Sequence, residues 1–139
     1  MKTFNELLAE FSALHESIGM LEDVKILYHY ITENKFENIL ELGILHGNTC
    51  RTFACAASTL PNTKITSVDI EQGCIDVCKE KLKNDGLEKY TTFVCQDSVK
   101  FLNEQQNNTW DCIFIDTDHR LTQTIAEIFL AGVKVKQNN

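Results

Sequence analysis

The sequence lacks the features that mark several large classes of protein. Its longest uncharged, apolar-rich stretch lies near residues 53–60, whereas a membrane-spanning helix needs about 20 apolar residues. The amino terminus, Met1-Lys2-Thr3, has no continuous apolar segment of the kind found in signal peptides. No internal repeat or low-complexity segment is visible. These absences argue against a membrane protein and lead us to expect a cytoplasmic one.

Positive charge is scarce as well. The 139 residues include 13 Lys and Arg against 20 Asp and Glu, which gives a net charge of −7. Because the chain has no basic patch to contact a phosphate backbone, we expect no nucleic-acid partner. The hydrophobic fraction of 43% is typical of globular proteins. We therefore predict one domain over residues 1–139, with amino-terminal helices in 1–35 and a βα core in 36–139.

The cysteines include no Cys-x-x-Cys pair, so a zinc site has little support. Their even number permits disulfides, but most of them fall inside predicted helices or strands. We therefore interpret them as reduced thiols that act as small hydrophobic residues. The six are Cys50, Cys55, Cys74, Cys78, Cys95 and Cys112.

Predicted strands and helices alternate along most of the chain. Two amphipathic helices come first: one starts at a capping box on Thr3 and is interrupted at Gly19, and the other covers about 21–33. Strands are predicted at about 38–42, 64–69, 90–95 and 110–116, each followed by a helix. Residues 133–135 are either a short fifth strand or a tail. This alternation predicts an α/β fold of three layers, with a mainly parallel sheet of about four or five strands between helices.

The segment from Ile39 to Thr49 predicts a buried strand, a glycine-bearing turn and a helix start. Gly43 and Gly47 bracket the turn, where a missing Cβ permits a positive φ or the close approach of a ligand. Asn48 or Thr49 is expected to cap the helix that follows. A pyrophosphate-binding turn would have its second glycine where Leu45 stands, which disfavours a nicotinamide-dependent oxidoreductase.

Four acidic residues fall at the ends of the four predicted strands: Glu41, Asp69, Asp97 and Asp116. Parallel α/β sheets bind ligands beyond the carboxyl ends of their strands, so we expect these carboxylates to share one crevice. One acid at such a position is often only a helix cap or a turn former, but four in succession favour a ligand site. A glycine turn after the first strand and an acid at the tip of the second is an arrangement that holds a nucleoside ribose.

Four motifs together resemble the class I S-adenosylmethionine-dependent methyltransferases, most closely their small-molecule O-methyltransferase branch. The resemblance covers about residues 36–132 and implies a Rossmann-like fold. One departure is Thr117, where that branch usually has a glycine. The motifs are Glu-x-Gly-x-x-x-Gly from Glu41, Val68-Asp69, Gln-Asp-Ser from Gln96 and Phe-Ile-Asp-x-Asp-His from Phe114.

The resemblance implies a role for each matching position. Glu41 and the Gly43–Gly47 turn would face the methionine part of S-adenosylmethionine, and Asp69 would accept hydrogen bonds from both ribose hydroxyls. Ile70 would pack on the adenine, and Asp97 would accept from its amino group with Ser98 alongside. Asp116 would lie near the sulfonium, and His119 would be either a general base or a polar residue at the start of the last helix. Asp116 and His119 are thus the candidate catalytic residues.

The resemblance also implies seven strands, whereas this sequence stops at or before the fifth. The metal ligands that follow strand five in metal-using members have no counterpart here. Asp116 and Asp118 would bind a divalent cation only in part, so we expect no catalytic metal. A sheet that stops early leaves an edge strand whose backbone N–H and C=O groups can pair with another chain. We therefore expect a homo-oligomer or a partner chain that completes the sheet.

The resemblance implies an S-adenosylmethionine-dependent enzyme that methylates a small molecule, with O-methyl transfer favoured. The alternative is a truncated or non-catalytic module that keeps the cofactor fold for binding or assembly.

Overall fold

The computed structural model describes residues 1–14 and 16–137. It confirms the predicted α/β fold, with strands and helices alternating after two leading helices. A short 3-10 turn, Glu88–Tyr90, precedes β3. The elements are α1 (Phe4–Ala13), α2 (Ile18–Asn34), β1 (Asn38–Leu42), α3 (Asn48–Ala57), β2 (Lys64–Asp69), α4 (Gln72–Asp85), β3 (Thr91–Cys95), α5 (Ser98–Glu104), β4 (Cys112–Ile115) and α6 (Leu121–Lys134).

The four strands of the described sheet are all parallel, in the order β3-β2-β1-β4. Leu40 of β1 is paired with Thr66 on one side and with Ile113 on the other. From β1 the chain steps outward through β2 to β3 and then returns across the sheet to β4. The strand order therefore reverses beside β1, and crevices at such reversals are where open α/β sheets bind ligands.

Side chains on β1 alternate between two hydrophobic layers because successive residues of a strand point to opposite faces. Ile39 packs with Phe53 of α3 on one face. Leu40 and Leu42 pack on the other face with Phe101 of α5. Helices therefore cover both faces, and Glu41 shares the face of Ile39.

The amino-terminal helices differ from prediction at one point. The capping box is confirmed, since the Glu6 amide donates to Thr3 Oγ1 at 3.4 Å and the Thr3 amide donates to Glu6 Oε2 at 2.7 Å. The predicted interruption at Gly19 is wrong, because Gly19 lies inside the first turn of α2. That helix is capped by Ser17, whose hydroxyl accepts from the Met20 amide at 3.1 Å.

A buried ion cluster joins α1 to α3 and α4. Arg51 binds Asp85 through two nitrogens, at 2.7 and 3.1 Å, and Glu10 through Nη2 at 2.8 Å. The Arg51 and Asp85 side chains are only 3% and 1% exposed. Burial alone raises the pKa of Asp85, but hydrogen bonds from Arg51 and Lys2 outweigh it and hold that pKa below its usual value.

The carboxyl-terminal elements also differ from prediction. Residues 133 and 134 continue α6, so the predicted end of this helix near 131 is wrong. Val135 then forms a single parallel bridge with Trp110, and the Lys136 amide donates to the Trp110 carbonyl at 2.8 Å. The described tail thus makes one step of parallel pairing beside the start of β4. Asn138 and Asn139, part of the predicted single domain, lie outside the described residues.

Helix α6 leaves an apolar face uncovered. The apolar residues on α6 with most exposed surface are Leu121, Ile125, Ile128 and Phe129.

Two other expectations concern the whole described chain. All six cysteines are free thiols, as interpreted from the sequence. In the described part of the chain, no helix is both long and apolar enough to cross a membrane.

Candidate functional site

A cavity of about 610 Å³ opens at the carboxyl ends of the strands. This volume falls within the range of small-molecule sites, roughly 300–1,000 Å³. Eight of the candidate site residues singled out from the sequence line it, whereas Glu41 and Gly47 do not. The eight are Gly43, Asp69, Ile70, Asp97, Ser98, Asp116, Asp118 and His119.

Gly43 allows β1 to pass close to the loop that follows β4. Its φ is +90°, and a Cβ at this position would lie 2.1 Å from the carbonyl oxygen of Asp116. The Gly43 amide donates to the Val68 carbonyl at 2.8 Å, which fixes the turn against β2. Glycine is therefore required here for backbone packing at the rim of the cavity.

Gly47 has a different reason to be glycine. Its φ is +79°, and a Cβ would lie 2.8 Å from the Sγ of Cys78 on α4. Gly47 is also the N-cap of α3, which makes no side-chain cap bond among the described residues. The predicted capping by Asn48 or Thr49 is wrong: the Asn48 amide group instead donates to Glu16 Oε1 at 3.1 Å.

Glu41 is buried, with 0% of its surface exposed. The expectation that it points into the crevice is wrong, because the alternation of β1 turns its side chain toward α3. Ser67 donates to its Oε2 at 2.6 Å, and Oε1 has no hydrogen-bond partner within the described chain. Burial, reinforced by Cys50, raises the pKa of Glu41 well above its usual value. The buried environment therefore favours the protonated, neutral form of this side chain.

Asp69 links the tip of β2 to the glycine turn. Its Oδ2 accepts from the Ile44 amide at 2.8 Å, and its Oδ1 accepts from the Glu71 amide at 2.8 Å. A carboxylate oxygen has two acceptor positions, so each oxygen keeps one free for a ligand. The backbone thus fixes both oxygens at the cavity wall. Ile70, the next residue, is 64% exposed and presents an apolar surface to the same space.

The end of β3 contributes Asp97 and Ser98. Asp97 is the N-cap of α5, and its Oδ1 accepts from the Lys100 amide at 2.9 Å. Ser98 is buried and donates its hydroxyl hydrogen to Glu127 Oε1. The side-chain amide of Gln123 donates to the Ser98 hydroxyl oxygen at 2.7 Å.

The end of β4 contributes Asp116 and the loop that follows it. His119 has a φ of +59°, uncommon for a residue other than glycine, and its Nε2 lies 3.4 Å from Asp116 Oδ1. Both side chains remain accessible, at 77% and 50% exposure respectively. Asp118 pairs instead with Arg120, whose backbone amide and guanidinium lower the pKa of that carboxyl. Within residues 1–14 and 16–137, no group of three His, Cys, Asp or Glu side chains is placed to hold a metal ion.

Sequence reasoning assigned no site role to several residues that line the cavity, or to the buried Glu127, which does not line the cavity but contacts the lining residue Gln123. Glu127 and Gln123 lie one helical turn apart on α6, a spacing that the sequence contains but that does not by itself indicate a ligand site. The additional lining residues include Leu45, Glu71, Cys74, Gln96, Arg120 and Gln123.

A family model described as a methyltransferase domain matches residues 40–138. The chain belongs to this methyltransferase-domain family. The predicted resemblance is thereby confirmed for the family. A comparison with curated proteins gave no match.

Solved structures with the same fold include three O-methyltransferases. The enzyme from Thermotoga maritima has a TM-score of 0.74 and 16% identity, over 96% of this chain and 47% of its own. The Bacillus cereus enzyme in complex with SAH has a TM-score of 0.65 and 18% identity, over 91% and 60%. The Streptomyces achromogenes enzyme of tomaymycin synthesis, in complex with SAM, has a TM-score of 0.69 and 18% identity, over 95% and 61%.

These identities establish the fold alone. The eight compared structures are matched over 47% to 63% of their own lengths, so this chain spans about half to three-fifths of such proteins.

Proposed function

We propose that this chain binds S-adenosylmethionine in the cavity at the strand ends and transfers its methyl group to a small molecule, with a hydroxyl oxygen as the acceptor. Membership of the methyltransferase-domain family supports the reaction type. The cofactor-bound O-methyltransferases of the same fold support the cofactor and the oxygen acceptor. The observation that carries the proposal most is the geometry of Asp69.

The donor and acceptor groups at the cavity suit an adenosyl sulfonium. Asp69 offers two fixed acceptor oxygens for a ribose diol, and the exposed Ile70 side chain offers an apolar surface for a purine ring. Asp97 adds a carboxylate at the end of β3, where we propose that it accepts from an amino group of the base. Asp116 adds a third carboxylate, which would favour a positively charged sulfur. The cavity wall is acidic, as the ligand requires.

When bound, the cofactor supplies a methyl group that its positive sulfur activates for displacement. The protein then has to hold an acceptor oxygen in line with that methyl group and remove the proton of the hydroxyl. We propose His119 as the base, because histidine is the side chain that most often serves as a general base and its Nε2 lies 3.4 Å from Asp116 Oδ1. Asp116 would orient the ring and stabilise it after protonation. The proposal includes no catalytic metal.

The test is isothermal calorimetry with S-adenosylhomocysteine. Asp69→Ala removes an acceptor for two ribose hydroxyls, and each hydrogen bond to a charged group contributes about 1.5–3 kcal/mol. We therefore expect binding weaker by about 100-fold or more. Asp76→Ala is the matched control, since Asp76 is an exposed acid on α4 that does not line the cavity. Equal affinities for wild type and Asp69→Ala would contradict the proposed site.

Methyl transfer is tested separately, with cofactor labelled in the methyl group and a panel of phenols and catechols. Labelled product supports the enzyme. Tight binding of the cofactor without any labelled product would favour the alternative, a module that keeps the cofactor fold without catalysis.

We further propose that the chain works as a homo-oligomer, or with a partner chain that completes the sheet. The uncovered apolar face of α6 supports this, as does the free edge of β4 beyond its bridge to Val135. A monomer in light scattering at tens of micromolar would contradict the homo-oligomer. The cytoplasm remains our proposed compartment, supported by six free thiols.

A further inference from the structure

A buried carboxylate on α6 holds three side chains that line the cavity. Glu127 is 0% exposed. Its Oε1 accepts from the Ser98 hydroxyl and, at 3.2 Å, from the Gln123 side-chain amide. Its Oε2 accepts from the Thr117 hydroxyl at 2.8 Å. No Lys, Arg or His of the described chain forms an ion pair with it, so neutral donors alone compensate the burial of this group.

These contacts fix the direction of every hydrogen bond in the group. A carboxylate only accepts, so the Gln123 atom that faces Glu127 has to be the amide nitrogen. Ser98 gives its single hydroxyl hydrogen to Glu127, so its oxygen accepts from the same Gln123 nitrogen, at 2.7 Å. The Gln123 amide therefore has one possible orientation in this network.

The consequence is an oriented acceptor at the cavity. Both hydrogens of the Gln123 amide are directed to Ser98 and Glu127. Its carbonyl oxygen receives no hydrogen bond from the described residues and remains available to a ligand. Asp97, which precedes Ser98, lines the same cavity with a carboxylate. Asp97 after β3 and Gln123 on α6 thus present two acceptors to the cavity, and Gln123 presents no competing donor.

Thr117 completes the set of donors around Glu127. Its hydroxyl donates to the second carboxylate oxygen, Oε2, at 2.8 Å. Glu127 thereby joins the loop after β3 to the loop after β4. Both loops carry residues that line the cavity.

Resting on the proposed function, we infer that Glu127 is a positioning residue that makes the cavity selective for a 6-amino purine over a 6-oxo purine. An amino group donates to the acceptors of Asp97 and Gln123, whereas an oxo group would face them as a third acceptor. Sites built to bind a donor reject analogues that lack it, because their own polar groups are then left unpaired.

The experiment compares the affinities of two ligands by calorimetry, S-adenosylhomocysteine and its deaminated analogue S-inosylhomocysteine. We expect wild type to prefer the adenosyl ligand by at least about tenfold. Gln123→Met keeps the length of the side chain and removes the acceptor. Glu127→Gln lets the Gln123 amide reverse. Both variants should lower the preference several-fold, mainly by weakening the adenosyl complex.

The controls are chosen for the same chemistry away from the cavity. Gln105→Met alters a glutamine beyond the end of α5, and Glu80→Gln alters an exposed acid on α4. Both should keep the wild-type preference. If Glu127→Gln does not fold, Gln123→Met still carries the test, because its buried partners remain in place.

The outcomes separate this inference from the proposed function. A preference that falls in Gln123→Met supports the inference. If wild type binds the adenosyl ligand but Gln123→Met keeps the full preference, the inference is overturned and the proposed function stands. An equal weakening of both ligands would show a purely structural role and would also overturn the inference. Failure of wild type to bind either ligand would overturn both.

Discussion

Replacing Glu41 by glutamine should stabilise the protein at neutral pH and have no such effect at acid pH. The carboxyl group is buried, and its burial raises its pKa well above the usual value. In the unfolded chain the same group ionises near pH 4.3. The folded protein therefore keeps a proton that the unfolded chain releases, and folding becomes less favourable as pH rises above that value.

The sign and size of this change in the free energy of unfolding follow from the linkage between proton binding and folding. The stability contributed by a group with a raised pKa is fully present below its unfolded pKa and is lost as pH rises to its folded pKa. The loss is about 1.4 kcal/mol for each pH unit in that interval. This is a large effect for a domain whose whole stability is about 5–15 kcal/mol. Glutamine has no such dependence, so the advantage of Glu41→Gln should grow with pH from about 4.3 upward.

Urea unfolding followed by circular dichroism at pH 4.5, 5.5, 6.5 and 7.5 measures this difference. Glu80→Gln is the control, because Glu80 is exposed on α4 and its replacement should leave the free energy of unfolding unchanged at each pH. The reasoning would be refuted if the difference in the free energy of unfolding between Glu41→Gln and wild type were the same at all four pH values. It would also be refuted if wild type became more stable relative to the variant as the pH rises. Because Glu41 does not line the cavity, the variant should also bind S-adenosylhomocysteine like wild type.

Two further substitutions test the packing around the site. Arg51→Met should lower the free energy of unfolding by about 3–5 kcal/mol, because it leaves the carboxylate of Asp85, 1% exposed, without its main partner; a loss below about 1 kcal/mol in urea unfolding would contradict the burial argument. Gly43→Ala should cost more than about 2 kcal/mol, because its Cβ would lie 2.1 Å from the Asp116 carbonyl and its φ is +90°. Gly73→Ala, in α4 with open space at the Cβ, is its control and should be neutral or stabilising. Equal stabilities for these two glycine variants would contradict the turn geometry.

The sequence predicted the sheet well because each strand is rich in β-branched, aromatic or other apolar residues and turn signals separate the strands from the helices. Strands β1 and β2 have the predicted bounds, and β3 starts one residue later than predicted. Strand β4 is shorter than predicted, because Trp110 pairs with Val135 on its outer side rather than with β1. Such pairing depends on where α6 ends, and local sequence does not determine that.

The candidate site was predicted in part for the same reason. Strand ends place Asp69, Asp97 and Asp116 at one edge of a parallel sheet, and these three line the cavity. Glu41 is the second-to-last residue of β1, so it still follows the alternation of the strand. This alternation turns its side chain into the buried layer between the sheet and α3, away from the cavity. Glu127 was missed because its role depends on three partners that only the folded chain brings together.

The most direct test of the central claim is a crystal structure of this chain grown with S-adenosylhomocysteine. We predict that the ribose hydroxyls contact both oxygens of Asp69 and that the adenine lies on Ile70, with its amino group toward Asp97. A ligand bound outside this cavity, or a ribose that does not touch Asp69, would contradict the account.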